Sequence, residues 1–168
     1  MEGLIIRKAT EDDAKAMIEY LNIVGGESDN LMYGANGFRV PIERVENFIK
    51  MANSSKHSIV LIAIVGNQIV GRAALQGNEN ARTQHRANLS ISVKKDFWHQ
   101  GIATKMISEL IAFSKEAGIS VIELEVISDN HNAIALYEKL DFEKIGVYKN
   151  YFCIDGKMKN AILMNLYL

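Results

Sequence analysis

From Arg86 to Ile127 the apolar spacing runs from strand-like to helix-like and back. Ala87, Leu89, Ile91 and Val93 alternate with Asn88, Ser90 and Ser92, which is the period of a strand with two chemically different faces. Ile102, Met106, Leu110 and Phe113 then recur at helical spacing, and Gly118 stands where a helix ends. Val121 to Ile127 returns to a strand pattern, with Glu123 and Glu125 flanking Leu124 on one face. Strand, helix and strand with short connections require a sheet with helices packed on it.

The rest of the chain extends this plan. Leu4 to Arg7 reads as a short strand, and Thr10 with Asp13 three residues on has the form of a capping box. Ala14, Met17, Ile18 and Leu21 give a first helix, and Val45, Phe48 and Ile49 give a second over Ile42 to Met51. Asn22 to Pro41 lacks periodicity, holds four glycines and reads as a loop. Ser58 to Val65 and Gln68 to Leu75 flank Gly66-Asn67 reversed as a turn, so they form a hairpin. Asn130 to Leu140 reads as a helix, Phe142 to Ile154 as extended chain, and Ala161 to Leu168 as a closing strand after Asp155-Gly156. The order β-α-α-β-β-β-α-β-α-β-β predicts an α/β protein (α+β in its mixed sheet) with helices on both faces. At 168 residues, without repeats or a linker, one domain over residues 1–168 is expected.

Composition removes several classes of partner. Lys and Arg total 19 and Asp and Glu total 20, a formal net charge of −1, so no global field draws the chain to nucleic acid or an acidic membrane. The longest apolar run, Ile59 to Val65, is far shorter than the ~20 residues that span a bilayer. The N-terminus turns acidic after three apolar residues and lacks the form of a signal peptide, so a cytoplasmic protein is expected. One cysteine, Cys153, makes no intramolecular disulfide and no thiolate zinc site. It is expected in the core, where a lone thiol in a late strand usually lies. The histidines show no metal-ligand spacing, so no metal is expected, and His57 and His131 are expected at the surface.

Val93 to Met106, VKKDFWHQGIATKM, carries the most chemistry. A helix beginning at Gly101 presents unpaired N–H groups and partial positive charge, which suits phosphate. Gly101 and Ala103 leave the backbone approachable, and Thr104 adds a hydroxyl. Small residues also open ordinary crossover helices, and neither dinucleotide-binding nor Walker-type glycine patterns are present. Gln100-Gly101-Ile102-Ala103-Thr104 resembles the acyl-CoA pyrophosphate loop of the GNAT superfamily of N-acetyltransferases, whose pattern is Gln/Arg-x-x-Gly-x-Gly/Ala. Trp98 stands at the first position of that pattern and His99 at the second. The departure shifts the expected phosphate contacts to backbone donors from Gln100 to Thr104.

A second segment, Ser128 to Phe142, is similar to the same family's N-x-x-A-x-x-x-Y-x-x-x-G-F signature, with Asp141 in place of the glycine. Asn130 and Tyr137 are two helical turns apart and share a face. Ile5 to Asp13 also looks like the family's opening strand and helix. The resemblance implies acetyl-CoA as co-substrate, Asn130 on the CoA arm, and Tyr137 as the acid that protonates the departing thiolate. It further implies that backbone around Ile91, Ser92 and Val93 holds the pantetheine and polarises the thioester, with His99, Gln100, Gly101, Ile102, Ala103 and Thr104 around the pyrophosphate. The acceptor is then a small-molecule amine or a protein N-terminal amine, attacked directly, and a homodimer is compatible with the family.

The base that deprotonates the acceptor is less defined. Glu27, in the loop after the first helix, is the first candidate, beside His85, Asn88, Glu123 and Glu125. A non-catalytic acyl-CoA sensor of the same fold is the alternative reading.

Overall fold

The computed structural model describes residues 3–168. Its elements are β1 (Leu4–Lys8), α1 (Ala14–Gly25), α2 (Ile42–Ser54), β2 (Ile59–Val65), β3 (Gln68–Gly77), β4 (Arg86–Val93), α3 (Ile102–Ala117), β5 (Val121–Ile127), α4 (His131–Lys139), β6 (Glu143–Ile154) and β7 (Lys157–Tyr167). The strands form one seven-stranded sheet in the order β1-β2-β3-β4-β5-β7-β6. All neighbours are antiparallel except β4 and β5, the pair joined through α3. That exception follows from the sequence, because a strand that returns through a helix comes back in the same direction.

Each face of the sheet has its own apolar layer. On one, Met106, Ile107 and Leu110 of α3 and Ile134 and Tyr137 of α4 pack on Leu61, Ala73, Leu89, Leu124 and Met164. On the other, Met17, Tyr20 and Leu21 of α1 and Val45 and Ile49 of α2 pack on Val60, Ile62 and Ala74. The period-two alternation of each strand feeds both layers, so the helices do lie on both faces.

The structure adjusts several boundaries. α1 continues to Gly25 instead of ending near Leu21, because Tyr20 and Val24 extend its buried stripe. The loop therefore starts at Gly26, and it folds back closely enough that a Cβ on Gly25 would lie 2.6 Å from the Gly34 carbonyl oxygen. β7 begins at Lys157 and sits between β5 and β6, with Ala161, Met164 and Leu166 buried. Cys153 is exposed, contrary to expectation, because β6 is the outermost strand and most of its side chains face solvent. His57, expected at the surface, is partly buried, with Nδ1 4.0 Å from the Glu79 carboxylate; His131 is exposed.

At the start of α1 the carboxylate of Asp13 accepts the Thr10 backbone N–H at 2.8 Å, one arm of the expected capping box. It also receives both Nη atoms of Arg7, each at 2.7 Å. The Arg7 guanidinium first, helped by Thr10, holds the Asp13 carboxyl down at about 2. A carboxylate with a depressed native pKa stabilises the fold above its unfolded pKa and loses that contribution as pH falls through the native one. Asp13→Asn is therefore expected to lower unfolding free energy by about 1 kcal/mol at neutral pH, as for a partly exposed pair. In urea melts the difference from the parent chain should close between roughly pH 4 and pH 2.

Candidate active site

Parallel pairing between β4 and β5 lasts for only three positions, Arg86 with Val121, Ala87 with Ile122 and Asn88 with Glu123. Beyond Asn88, β4 pairs only with β3, through Val93, and β5 pairs only with β7, through Ile127. The two strands part, and a cleft of about 560 Å³ opens between them. Its base is tied by the Arg86–Glu123 ion pair and by Asn88 Nδ2, which donates to Glu125 at 3.4 Å. On the open side of β4 the backbone from Leu89 to Val93 has no strand partner, so the N–H and C=O groups that point there, other than the Val93 carbonyl, are available to a ligand.

One end of the cleft is the turn from β4 into α3. A 3-10 turn at Lys95–Phe97 reverses the chain, and the Trp98 indole N–H donates to the Val93 carbonyl at 2.7 Å. His99 and Gly101 adopt left-handed backbone, at φ 59° and 79°. The first helical bond of α3 runs from Lys105 N–H to the Gly101 carbonyl at 3.0 Å, which leaves the amides of Ile102, Ala103 and Thr104 before it. A Cβ on Gly101 would meet nothing within 4 Å, so its glycine serves the dihedral, and the backbone there is open to approach. Free amides, a helix N-terminus and an approachable backbone suit the diphosphate of a CoA-type molecule.

The opposite wall comes from β5 and α4. Asn130 caps α4, its Oδ1 accepting the Ala133 N–H at 3.3 Å, so it serves the fold while lining the cleft. Tyr137 lines the cleft from the same helix and packs against Phe142 at 5.6 Å between ring centroids. Burial pushes its phenol up to about 12. Asp141, where the motif has glycine, takes the left-handed conformation at φ 64°, which a short polar side chain tolerates.

The third wall is the segment after α1. Glu27 lines the cleft, and its Oε2 accepts the Lys95 backbone N–H at 2.7 Å, joining this segment to the α3 turn. Asn22 anchors the far end of the loop, accepting the Phe38 N–H at 3.0 Å.

Ile91, Ser92, Val93, His99, Gly101, Ile102, Ala103, Thr104, Asn130, Tyr137 and Glu27 all line this one cleft. Gln100 does not: its side chain turns back and donates to the Asp96 carbonyl at 3.0 Å. Among the other base candidates, Asn88 and Glu125 line the cleft, Glu123 is engaged by Arg86, and His85 lies outside it. Among the described residues no cluster of three or more His, Cys, Asp or Glu is placed to hold a metal, and no helix is long and apolar enough to cross a membrane.

Two features escaped the sequence reading. Trp98 acts as a brace for the turn, a role that no spacing rule signals. Arg72 of β3 is a cation inside an otherwise apolar run, QIVGRAAL, and that interruption was the available signal. It faces the α1 side and donates to the Ser90 hydroxyl on the cleft wall at 2.9 Å. Beside it, Tyr20 shares a 3.0 Å hydrogen bond with Ser92.

The family model "Acetyltransferase (GNAT) family" matches residues 29–142. A [ribosomal protein bS18]-alanine N-acetyltransferase of Haemophilus ducreyi is 39% identical over 80 residues, and the match spans about half of each protein, 47% of this chain and 55% of that enzyme. The Haemophilus influenzae enzyme of the same name is 31% identical over 117 residues, 69% of this chain and 77% of that one. A GNAT-family acetyltransferase structure from Streptococcus pneumoniae superposes with a TM-score of 0.94 at 28% identity, covering 98% of this chain and 99% of that one. With its family match and its fold in accord, the chain belongs to the GNAT family of acetyltransferases.

Proposed function

We propose that this protein transfers an acetyl group from acetyl-CoA to a primary amine, of a small molecule or of a protein N-terminus, by direct attack within the β4–β5 cleft. The observation that carries this reading is the meeting, in one cleft, of the free amides at the start of α3 and the Tyr137 phenol. The names of the bacterial N-acetyltransferase relatives support the amine as acceptor.

Acetyl-CoA supplies an activated thioester. The amides of Gly101, Ile102, Ala103 and Thr104 would hold its diphosphate, and Asn130 its pantetheine arm, beside the unpaired edge of β4. A β4 N–H between Ile91 and Val93 would donate to the thioester oxygen as charge gathers there. The amine nitrogen forms its bond to the acetyl carbon while the carbon–sulfur bond breaks. Tyr137 gives its proton to the sulfur, and Glu27, acting through water, takes the proton that the ammonium must lose. A tyrosine phenol carries its proton at neutral pH in any case; burial makes it a weaker acid, and the same dry surroundings raise the proton affinity of a thiolate formed beside it. Removing the Tyr137 hydroxyl should therefore affect turnover more than binding.

Calorimetry with acetyl-CoA should show stoichiometric binding, and its absence at millimolar ligand would overturn the reading. Tyr137→Phe is expected to lower kcat by about 100-fold or more with acetyl-CoA affinity nearly unchanged. Unaltered turnover would remove tyrosine from the acid role.

Glu27→Gln keeps an oxygen for the Lys95 N–H while losing the base, so a loss of about 100-fold in kcat with intact folding is expected. Glu125→Gln should cost only severalfold. The reverse ordering in steady-state kinetics would assign proton removal to Glu125.

A further inference from the structure

We propose that Arg72 is the anion-recognising residue of the acceptor site, and that the acceptor amine carries a carboxylate, as a free α-amino acid does. This rests on the transferase reading above and narrows it to a substrate class.

Arg72 lies near the middle of β3, opposite Ser92 on β4, with its side chain on the α1–α2 face. It is mostly buried, and its guanidinium carbon stands 5.7 Å from the centre of the Phe48 ring. Nη1 donates to Ser90, an exposed cleft residue. Nε is out of solvent without a hydrogen-bond partner. Among the described residues no carboxylate lies within 4.0 Å of this guanidinium. Its neighbours Tyr20 and Tyr33 are phenols that burial pushes to higher pKa, so both stay neutral and supply no counter-charge. Arginine does not escape its charge by deprotonation. A buried cation normally has a partner, since desolvation otherwise makes it costly. The missing partner here is an anion brought by a ligand.

Position and shape indicate which anion. The cleft lining among the described residues includes no Lys or Arg, so a single guanidinium beyond the Ser90 side meets a single negative charge. Its planar fork matches a carboxylate in two parallel hydrogen bonds. Arg72 lies outside the cleft lining, behind Ser90, and reaches that side only through the Nη end that now bonds the Ser90 hydroxyl. A carboxylate that replaces Ser90 on the Nη atoms would leave an amine one carbon away on the side of the cleft lined by Ser92 and Glu27.

The test uses the whole chain with acetyl-CoA and thiol release as readout, comparing the standard L-amino acids with their α-carboxamides. At least one amino acid should be acetylated, with kcat/KM at least tenfold above that of its carboxamide, the loss expected for an ionic hydrogen bond. Arg72→Gln should raise KM for that amino acid about tenfold or more while leaving KM for acetyl-CoA unchanged, and Arg72→Lys should recover part of the loss. A second arm needs no turnover: with CoA present, N-acetylated amino acids should bind and their carboxamides should not. If Arg72→Gln fails to fold, the comparison of acids with amides on the parent chain decides. Carboxamides accepted equally, or neutral peptide N-termini acetylated while no free amino acid is used or bound, would overturn the carboxylate proposal and leave amine acetylation standing. Failure of acetyl-CoA to bind would overturn the transferase reading itself.

Discussion

The site depends on a parallel strand pair that stops early. β4 and β5 hold together over Arg86–Asn88 and Val121–Glu123, then each keeps only its outer neighbour. An open gap inside a sheet exposes backbone donors and acceptors that would ordinarily be paired, a state that only a polar partner or water satisfies. The Arg86–Glu123 pair fastens the closed end, and α3 and α4 pack under both strands to keep the open end from collapsing. A ligand with an extended amide-containing arm has the groups that would complete the ladder the protein leaves unfinished.

The alternation of β4 divides labour between the two faces. Ala87 and Leu89 enter the α3–α4 layer, which also buries Tyr137 and positions the α3 turn. Ser90 and Ser92 face α1 and α2, where Tyr20 and Arg72 meet them. The groups on the two faces are thus separated by the thickness of one strand, and the Glu27 contact to the Lys95 amide is the stitch between the two sides.

Elements with strong periodicity were readable from the sequence. The α3 stripe of Ile102, Met106 and Leu110 is buried as its spacing implied, and Asn130 and Tyr137, two turns apart, both line the cleft. What escaped reading depended on contacts distant in sequence. α1 lengthened because Tyr20 and Val24 found a buried layer, and Cys153 emerged at the surface because strand order, which periodicity does not encode, placed β6 at the edge. Gln100 sat inside a matching motif, yet local hydrogen bonding to Asp96 directed its side chain elsewhere. Arg72 does interrupt the apolar run QIVGRAAL, but the run itself does not show that the fold brings Ser90, Tyr20 and Phe48 around it.

The chain has one tryptophan, and it is Trp98, whose indole is pinned to Val93 at the mouth of the cleft. All indole emission therefore originates at the turn from β4 into α3, with no second fluorophore of its kind to dilute the signal. The protein carries its own optical probe of that turn, so any event that moves the turn can be followed by stopped-flow without a label or a coupled assay.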